Sequence, residues 1–535
     1  HELDQVDARA SDSLSGERHT PMSSPDINGN TQQMPSDVID PSLDRRTKRK
    51  LDFILLPFLA LLFLFNSLDK SNIGNAETAN FTSDIGIDKS DLNTAVAIFF
   101  ACFVGLQPVG AALGRRYGMS IWVPGCMSVW GVCTALHVWV RTKWQLIVLR
   151  MVIGALEGIL AGFYPVTVSY LSLFYTKFEF GRRLAVFYGQ SAIAGAFGGI
   201  LSYFVFSWFP NNGANPGTKE SNGWKSWQVL FFVEGATTIV IALTGFFWLP
   251  HSAKTAWFLS PDERVWAEER IKADQSNISS QRQPKLDPEA DGENTDQLPP
   301  SDSEAAGLLA SSADEQATHP SPAHAVTDDR GLSRHDILSA FLDWKVWYLL
   351  ACNILSAIPV SAFSVFLPLI LAPLTNRPAN PGDLTGFQQA KNPALTNLLT
   401  APPFLLGAVV LYVFTSYSDR HRIRLYPILV GLGILLFGLT LTVFLPRSWV
   451  IPRYVALCIL LSGSFIASPL QVTWLSNNIP QPGKRSVVLG INGWGNLAGV
   501  FSAMLFKPRF APSYEVPFFV TFACVAIAWA GYAFF

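Results

Sequence analysis

Polar and apolar positions along this chain fall into blocks. A window of about nineteen residues finds six apolar runs near 52–73, 92–113, 120–140, 144–165, 184–207 and 228–249. After a polar interval, six more follow near 346–370, 393–415, 425–445, 451–475, 486–507 and 516–535. At 1.5 Å rise per residue each run is long enough to cross roughly 30 Å of hydrocarbon. The pattern predicts an all-α membrane protein with twelve transmembrane helices in two six-helix halves, and both termini on one side. The first run lies behind a long polar tail, the wrong arrangement for a cleaved signal peptide.

The polar blocks set the remaining organisation: a disordered tail over 1–50, a first half over 51–250, a linker over 251–344 and a second half over 345–535. Residues 274–335 are rich in Ser, Pro, Asp, Glu, Gln and Ala and almost free of aromatic residues. Such a segment buries too little apolar surface to fold. Just before it, Ser260-Pro261-Asp262-Glu263 supplies an N-cap, a proline in the first turn and a capping-box carboxylate, predicting a short surface helix over 260–273.

The halves look duplicated. Arg182-Arg183-Leu184-Ala185-Val186 and Lys484-Arg485-Ser486-Val487-Val488 each open the fifth span of a half, and Gln190 and Asn492 each follow seven residues after the second cation. The loops after the second and eighth spans also correspond, with Arg115 and Arg116 in one and Asp419 and Arg420 in the other. Duplicated six-helix halves joined by a linker are a transporter architecture that alternates access by rocking.

Charge then orients the chain. Arg45, Arg46, Lys48, Arg49 and Lys50 precede the first span, and basic pairs recur in alternate loops, which places those loops, the linker and both termini in the cytoplasm. Asn80-Phe81-Thr82 becomes an external glycosylation sequon close to the bilayer.

Composition narrows the function. Charged residues make up 15% of the chain and hydrophobic ones 49%, against about 25% charged in soluble proteins. A net charge of -1 gives no footprint for nucleic acid. The six cysteines lie inside apolar runs without CxxC spacing and read as packing residues. No phosphate-binding loop, HExxH or GxSxG context occurs, so no enzyme, metal site or cofactor is expected, and the energy source is an ion gradient.

Charges inside spans cost on the order of 2.5 to 3.5 kcal/mol each and call for a function. They are Asp69, Lys70, Arg150, Glu157 and Glu234. Arg150 and Glu157 are seven residues apart, two helical turns, so both point to one side. Asp69 and Lys70 diverge by about 100°. Two readings stand here: the cations hold an anionic substrate, or Arg150 and Asp69 form a salt bridge fastening two helices. Asp69 and Lys70 also fit the outer interface, with Lys70 reaching to water. Glu234 reads as a helix tether and stays outside the binding set. In the second half Asn353, Gln471, Trp474 and Asn492 either select substrate or join helices at about 0.6 kcal/mol each. Gly195 and Gly199 have the GxxxG spacing of close helix packing.

Several motifs together resemble the major facilitator superfamily, specifically the fungal allantoate-permease branch of its anion:cation symporters. They are Leu68-Asp69-Lys70-Ser71-Asn72-Ile73-Gly74-Asn75-Ala76, Arg150 with Glu157, Tyr170-Leu171-Ser172 through Arg182, Ser260-Pro261-Asp262-Glu263-Arg264, and Thr396-Asn397-Leu398-Leu399-Thr400-Ala401-Pro402-Pro403. The resemblance implies proton-coupled uptake of a small organic anion across the plasma membrane by a monomer. Asp69 and Glu157 would then take protons, and Arg150 and Lys70 would hold the carboxylate. Gln190, Asn353, Asn492 and Trp474 complete the expected binding set, and Arg115, Arg116, Asp419 and Arg420 the gating loops. Lys70 stands where an arginine is common in the family, and Gly114 to Gly118 lacks its usual aspartate. An exporter or antiporter on the same fold, and a sensor that binds without transporting, remain alternatives.

Overall fold

The computed structural model describes residues 41–161, 170–171, 173–175, 177–210, 223–280, 334–375, 392–421, 423–446, 448–479, 482–511 and 513–535. Every regular element among them is helical. The first half comprises α1 (Pro41–Lys50), α2 (Leu56–Thr78), α3 (Phe81–Ile85), α4 (Lys89–Tyr117), α5 (Met119–Leu136), α6 (Lys143–Ala161), α7 (Lys177–Trp208) and α8 (Ser226–Trp248). The linker contributes α9 (Pro261–Ser280) and α10 (Arg334–Phe341). The second half comprises α11 (Trp344–Thr375), α12 (Pro393–Leu398), α13 (Ala401–His421), α14 (Leu425–Phe444), α15 (Val450–Ser464), α16 (Ala467–Asn478), α17 (Pro482–Gly493), α18 (Ala498–Leu505) and α19 (Glu515–Phe534).

Eleven helical stretches among the described residues are long and apolar enough to cross a membrane. The remaining expected span, 144–165, falls on α6, and its last residues lie outside the described ones.

The first span departs from expectation. A helical rod runs unbroken over Ser42–Thr78, so residues 41–50, expected as part of a disordered tail, are helical. Pro57 has no N–H to donate to residue 53, and a π-helical turn over Leu51–Leu55 lies immediately before it, with Leu56 N–H bonded to Leu51 O. At its other end the rod passes the apolar run because Asn72, Asn75, Glu77 and Thr78 are buried against neighbours rather than left in lipid. It ends at Asn80, whose φ of 69° is left-handed. The sequon following it is closed off: Phe81 and Thr82 are buried, and the Thr82 hydroxyl donates to Glu77 Oε1 at 2.8 Å.

The basic end of the first half carries a clasp. Lys50 Nζ donates to Glu263 Oε2 at 2.7 Å, Arg46 lies 3.3 Å from the same carboxylate, and Ser260 N–H caps it at 2.8 Å. Arg270 reaches Asp44 at 3.1 Å and Phe174 O at 2.7 Å, while the Tyr175 hydroxyl donates to Asp52. These bonds fix α9 against α1, and α9 runs to Ser280, past the expected end at 273 and into the interval expected to be disordered. Residues 281–333 of that interval lie outside the described ones.

The two halves meet toward the end opposite this clasp. Asn93 Nδ2 donates to Ala503 O at 2.7 Å and Phe506 O at 2.9 Å, tying α4 to the end of α18. Asn397, before Leu398 at the end of α12, donates to the Thr78 hydroxyl at 3.1 Å. The GxxxG pair does what its spacing predicts: Gly195 faces the Phe404 ring, and Gly199 lies against Thr400 and Asn397. Gly74 backs onto Val365 O so closely that a Cβ there would come within 1.7 Å of it. The far end is therefore sealed by direct backbone approach and amide hydrogen bonds.

Candidate binding and coupling site

Among the described residues, two ion pairs lie between α2 and α6, and the divergence of Asp69 and Lys70 on α2 separates them. Asp69 turns toward α5 and α6. Its Oδ1 accepts from the Thr134 hydroxyl at 3.0 Å, and its Oδ2 lies 3.4 Å from Arg150 Nη1. Both partners of this pair are sealed, each side chain 2% exposed. Lys70 turns instead toward α4 and the other end of α6. Its Nζ lies 3.6 Å from Glu157 Oε2 and 4.2 Å from the centroid of the Phe103 ring. Here the acid is fully buried, while the lysine side chain is 19% exposed.

The seven-residue spacing of Arg150 and Glu157, about 10 Å along α6, is thus bridged by two adjacent residues of α2 reaching opposite ways. Arg150 and Asp69 form the helix-fastening salt bridge weighed from the sequence, and Lys70 is the less buried of the two cations. The outer-interface reading of Asp69 and Lys70 fails, because α2 continues to Thr78 and buries Asp69 at 1% exposure.

Glu234, set aside in the sequence reading, belongs to this cluster. Trp227, Phe231 and Glu234 share one face of α8 at helical spacing. Trp227 donates to Asp84 at 2.8 Å, and Phe231 stacks on His137 at 4.8 Å and lies 5.9 Å from the Arg150 guanidinium. Glu234 is 1% exposed, with Asn72, Asp69 and Arg150 as its polar neighbours. The signal available earlier was the shared face with Trp227, but one helix seen alone does not say what lies opposite.

The second half uses its amides differently. Asn353 Nδ2 donates to Asn492 Oδ1 and to Asn492 O, each at 3.2 Å. Gln471 Nε2 donates to Asn492 Oδ1 at 3.1 Å and Leu349 O at 3.0 Å, while the Tyr532 hydroxyl donates to Gln471 Oε1. Asn353, Gln471 and Asn492 are buried at 3%, 0% and 6%. Four helices, α11, α16, α17 and α19, are joined through them, so Asn353 and Asn492, expected in the binding set, are hydrogen-bonded between helices in this conformation. Trp474 is half-buried, edge-on to Phe535 at 5.3 Å, and Gln190 is half-buried on α7.

Of the expected gating residues, Asp419 pairs with Arg424 across the turn into α14, not with its neighbour Arg420, which is exposed. Arg115 and Arg116 lie on the last turns of α4, and their side chains fall outside the description.

Comparison with known proteins agrees with this architecture. Residues 59–534 match the family model described as the Major Facilitator Superfamily. The major facilitator-type transporter hxnP of Emericella nidulans is 29% identical over 495 residues, covering 91% of this chain and 84% of hxnP. The high-affinity nicotinic acid transporter of Saccharomyces cerevisiae is 26% identical over 475 residues, covering 88% of this chain and 73% of that one. The xylose transporter XylE from E. coli, in a partially occluded inward open conformation, superposes with a TM-score of 0.56 at 12% identity, over 89% of this chain and 96% of XylE.

Proposed function

The chain belongs to the major facilitator superfamily and is a multi-pass membrane transporter; on that premise we propose that it carries a small organic anion into the cell together with protons, at the plasma membrane. The observation that carries this reading is the Lys70–Glu157 pair, a partly open ammonium held over an aromatic ring beside a sealed carboxylate. A carboxylate substrate arriving at Lys70 competes with Glu157 for the same charge. Protonating Glu157 removes the competitor and frees the cation, so proton and anion bind together. Loss of the proton restores the internal pair and expels the anion. The Arg150–Asp69 pair, with both side chains 2% exposed, joins α6 to α2. The name of the yeast relative, a carrier of a monocarboxylic acid, supports this substrate class over neutral sugars.

The positive-inside pattern puts the sealed far end outside, so the conformation described is closed to the exterior. The test is uptake of a panel of labelled carboxylates into yeast lacking its own carriers, at acidic and neutral external pH. Acid-stimulated accumulation that Lys70→Ala abolishes and Glu157→Gln renders indifferent to pH supports the reading. Export from preloaded cells, or binding without flux, replaces it with the exporter or the sensor.

A further inference from the structure

The ion pairs leave an imbalance in the first half. Among the described residues, three carboxyl groups around the middle of α2, Asp69, Glu157 and Glu234, are grouped with two cations, Lys70 and Arg150. Asp69 and Glu157 each have one cation within 4 Å. Glu234 is sealed and has none among the described residues, and neither of its carboxyl oxygens takes a hydrogen bond. Bare carboxylates are not kept in a membrane interior without a partner.

Arg150 is underused in the complementary way. Nη1 alone is engaged, on Asp69 Oδ2 and Asp69 O, and its buried Nε and Nη2 have no acceptor. Asn72 Nδ2, on the helix that carries Asp69, is likewise buried without an acceptor. The groups facing Glu234 can be named element by element: Asp69 and Asn72 from α2, and Arg150 from α6, while His137, beyond the end of α5, stacks on Phe231 and neighbours Arg150. Between residues 189 and 208, α7 carries Tyr203 as its only ionisable side chain. His137 Nδ1 donates to Cys133 O, and its buried Nε2 has no partner among the described residues.

We propose that Glu234 is a proton-binding site of the carrier, holding a proton while Arg150 pairs with Asp69 and surrendering it when Arg150 turns to Glu234. The proposal deepens the proton-coupled reading and rests on it for its role in transport, but not for the existence of the site. The exchange is balanced: the proton leaves the Glu234 carboxyl as the Asp69 carboxylate gains one, and the guanidinium keeps its charge and changes partner. Arg150 has the unoccupied donors to accept the second carboxylate, and the Asn72 amide is placed to donate to it. Each state leaves two ion pairs and one neutral acid.

Infrared difference spectroscopy of the purified full-length protein, with no substrate added, tests the site directly. At neutral pH the wild type should show the carbonyl stretch of a protonated carboxylic acid, in a protein with the far end closed. Glu234→Gln should remove that band, Glu234→Asp should move it, and Asp69→Asn should leave Glu234 as the one acid beside Arg150, ionising as Arg150 becomes available to it. A band unchanged in Glu234→Gln overturns the proposal, as does a wild type with no such band. Size-exclusion and melting profiles confirm that each variant is folded, and Glu234→Asp serves where Glu234→Gln does not fold. Uptake measured in parallel separates the two readings. A band present without acid-stimulated flux keeps the site and removes the symport, while flux without the band does the reverse.

Discussion

Replacing Gly199 with alanine should wedge the two halves apart at the far end. A Cβ at this position would lie 2.2 Å from Thr400 Oγ1 and 2.5 Å from Asn397 O, and Thr400 is itself held by Asn397 O at 2.7 Å. Neither neighbour has room to give without breaking that turn. Overpacking of this kind costs about 1 to 3 kcal/mol, and here the cost falls only on the state in which the halves touch. At 1.4 kcal/mol per factor of ten, the equilibrium should move about fivefold to about 150-fold toward opening of the far end. The change also adds helix propensity of up to about 1 kcal/mol, which favours α7 in either state. Gly189→Ala, on the same helix with nothing within 4 Å, gains that term alone and isolates the wedge. Hydrogen–deuterium exchange should rise in peptides covering 392–400 and 503–511 for Gly199→Ala and stay unchanged for Gly189→Ala. Equal exchange in both variants would refute the claim that this contact seals the far end.

Other outcomes follow from the same geometry. Arg150→Ala leaves Asp69 buried without its cation and should destabilise the protein by about 3 to 5 kcal/mol, read as a lowered melting temperature, with Asp69→Asn in the same chain recovering much of the loss. Asn353→Ala removes one of the two side-chain donors to Asn492 Oδ1, Gln471 being the other, and should cost about 0.5 to 1.5 kcal/mol of stability while leaving the KM for substrate unchanged; a changed KM with unchanged stability would place Asn353 in the binding site. Burial pushes the Glu263 carboxyl upward, and the hydrogen bonds from Lys50 and the Ser260 N–H more than offset it, leaving the group below its ordinary value. A depressed value in the folded state means that the clasp is fully stabilising above the ordinary glutamate range, about 4.3, and is lost as pH falls through the lower folded value. Glu263→Gln should therefore flatten the acid limb of the melting-temperature profile.

Much of this arrangement was legible in the sequence because a membrane restricts it. Blocks of apolar residues gave the spans, and the duplicated basic turns gave the two halves. The GxxxG of Gly195 and Gly199 predicted a close approach without saying which helix approaches. The charges were visible one by one, and spacing fixed their azimuth on each helix, but pairing depends on how helices are rotated against one another. For that reason Asp69 and Lys70 were seen to diverge and Arg150 was one of two readings for Asp69, while the Lys70–Glu157 pair was not assigned and Glu234 was read as a tether. The network of second-half amides was not legible for a related reason. Asn353, Gln471 and Asn492 are far apart in sequence, and their mutual satisfaction appears only once four helices converge. The extra length of the first span came from polar residues that a hydropathy window rejects and tertiary burial admits.

The uneven division of charge between the halves also has an electrical meaning. Among the described residues, the buried polar network of the second half is built on neutral amides and a phenol, so the field across the membrane acts chiefly on the side chains of the first half. Moving one elementary charge through the full field requires about 2.3 kcal/mol per 100 mV. Three carboxyls, two cations and one resident proton sum to zero, so the empty carrier can reset without working against the membrane potential. Voltage then acts only on what is carried: an anion entering with one proton is silent, and any current reports the protons taken in excess.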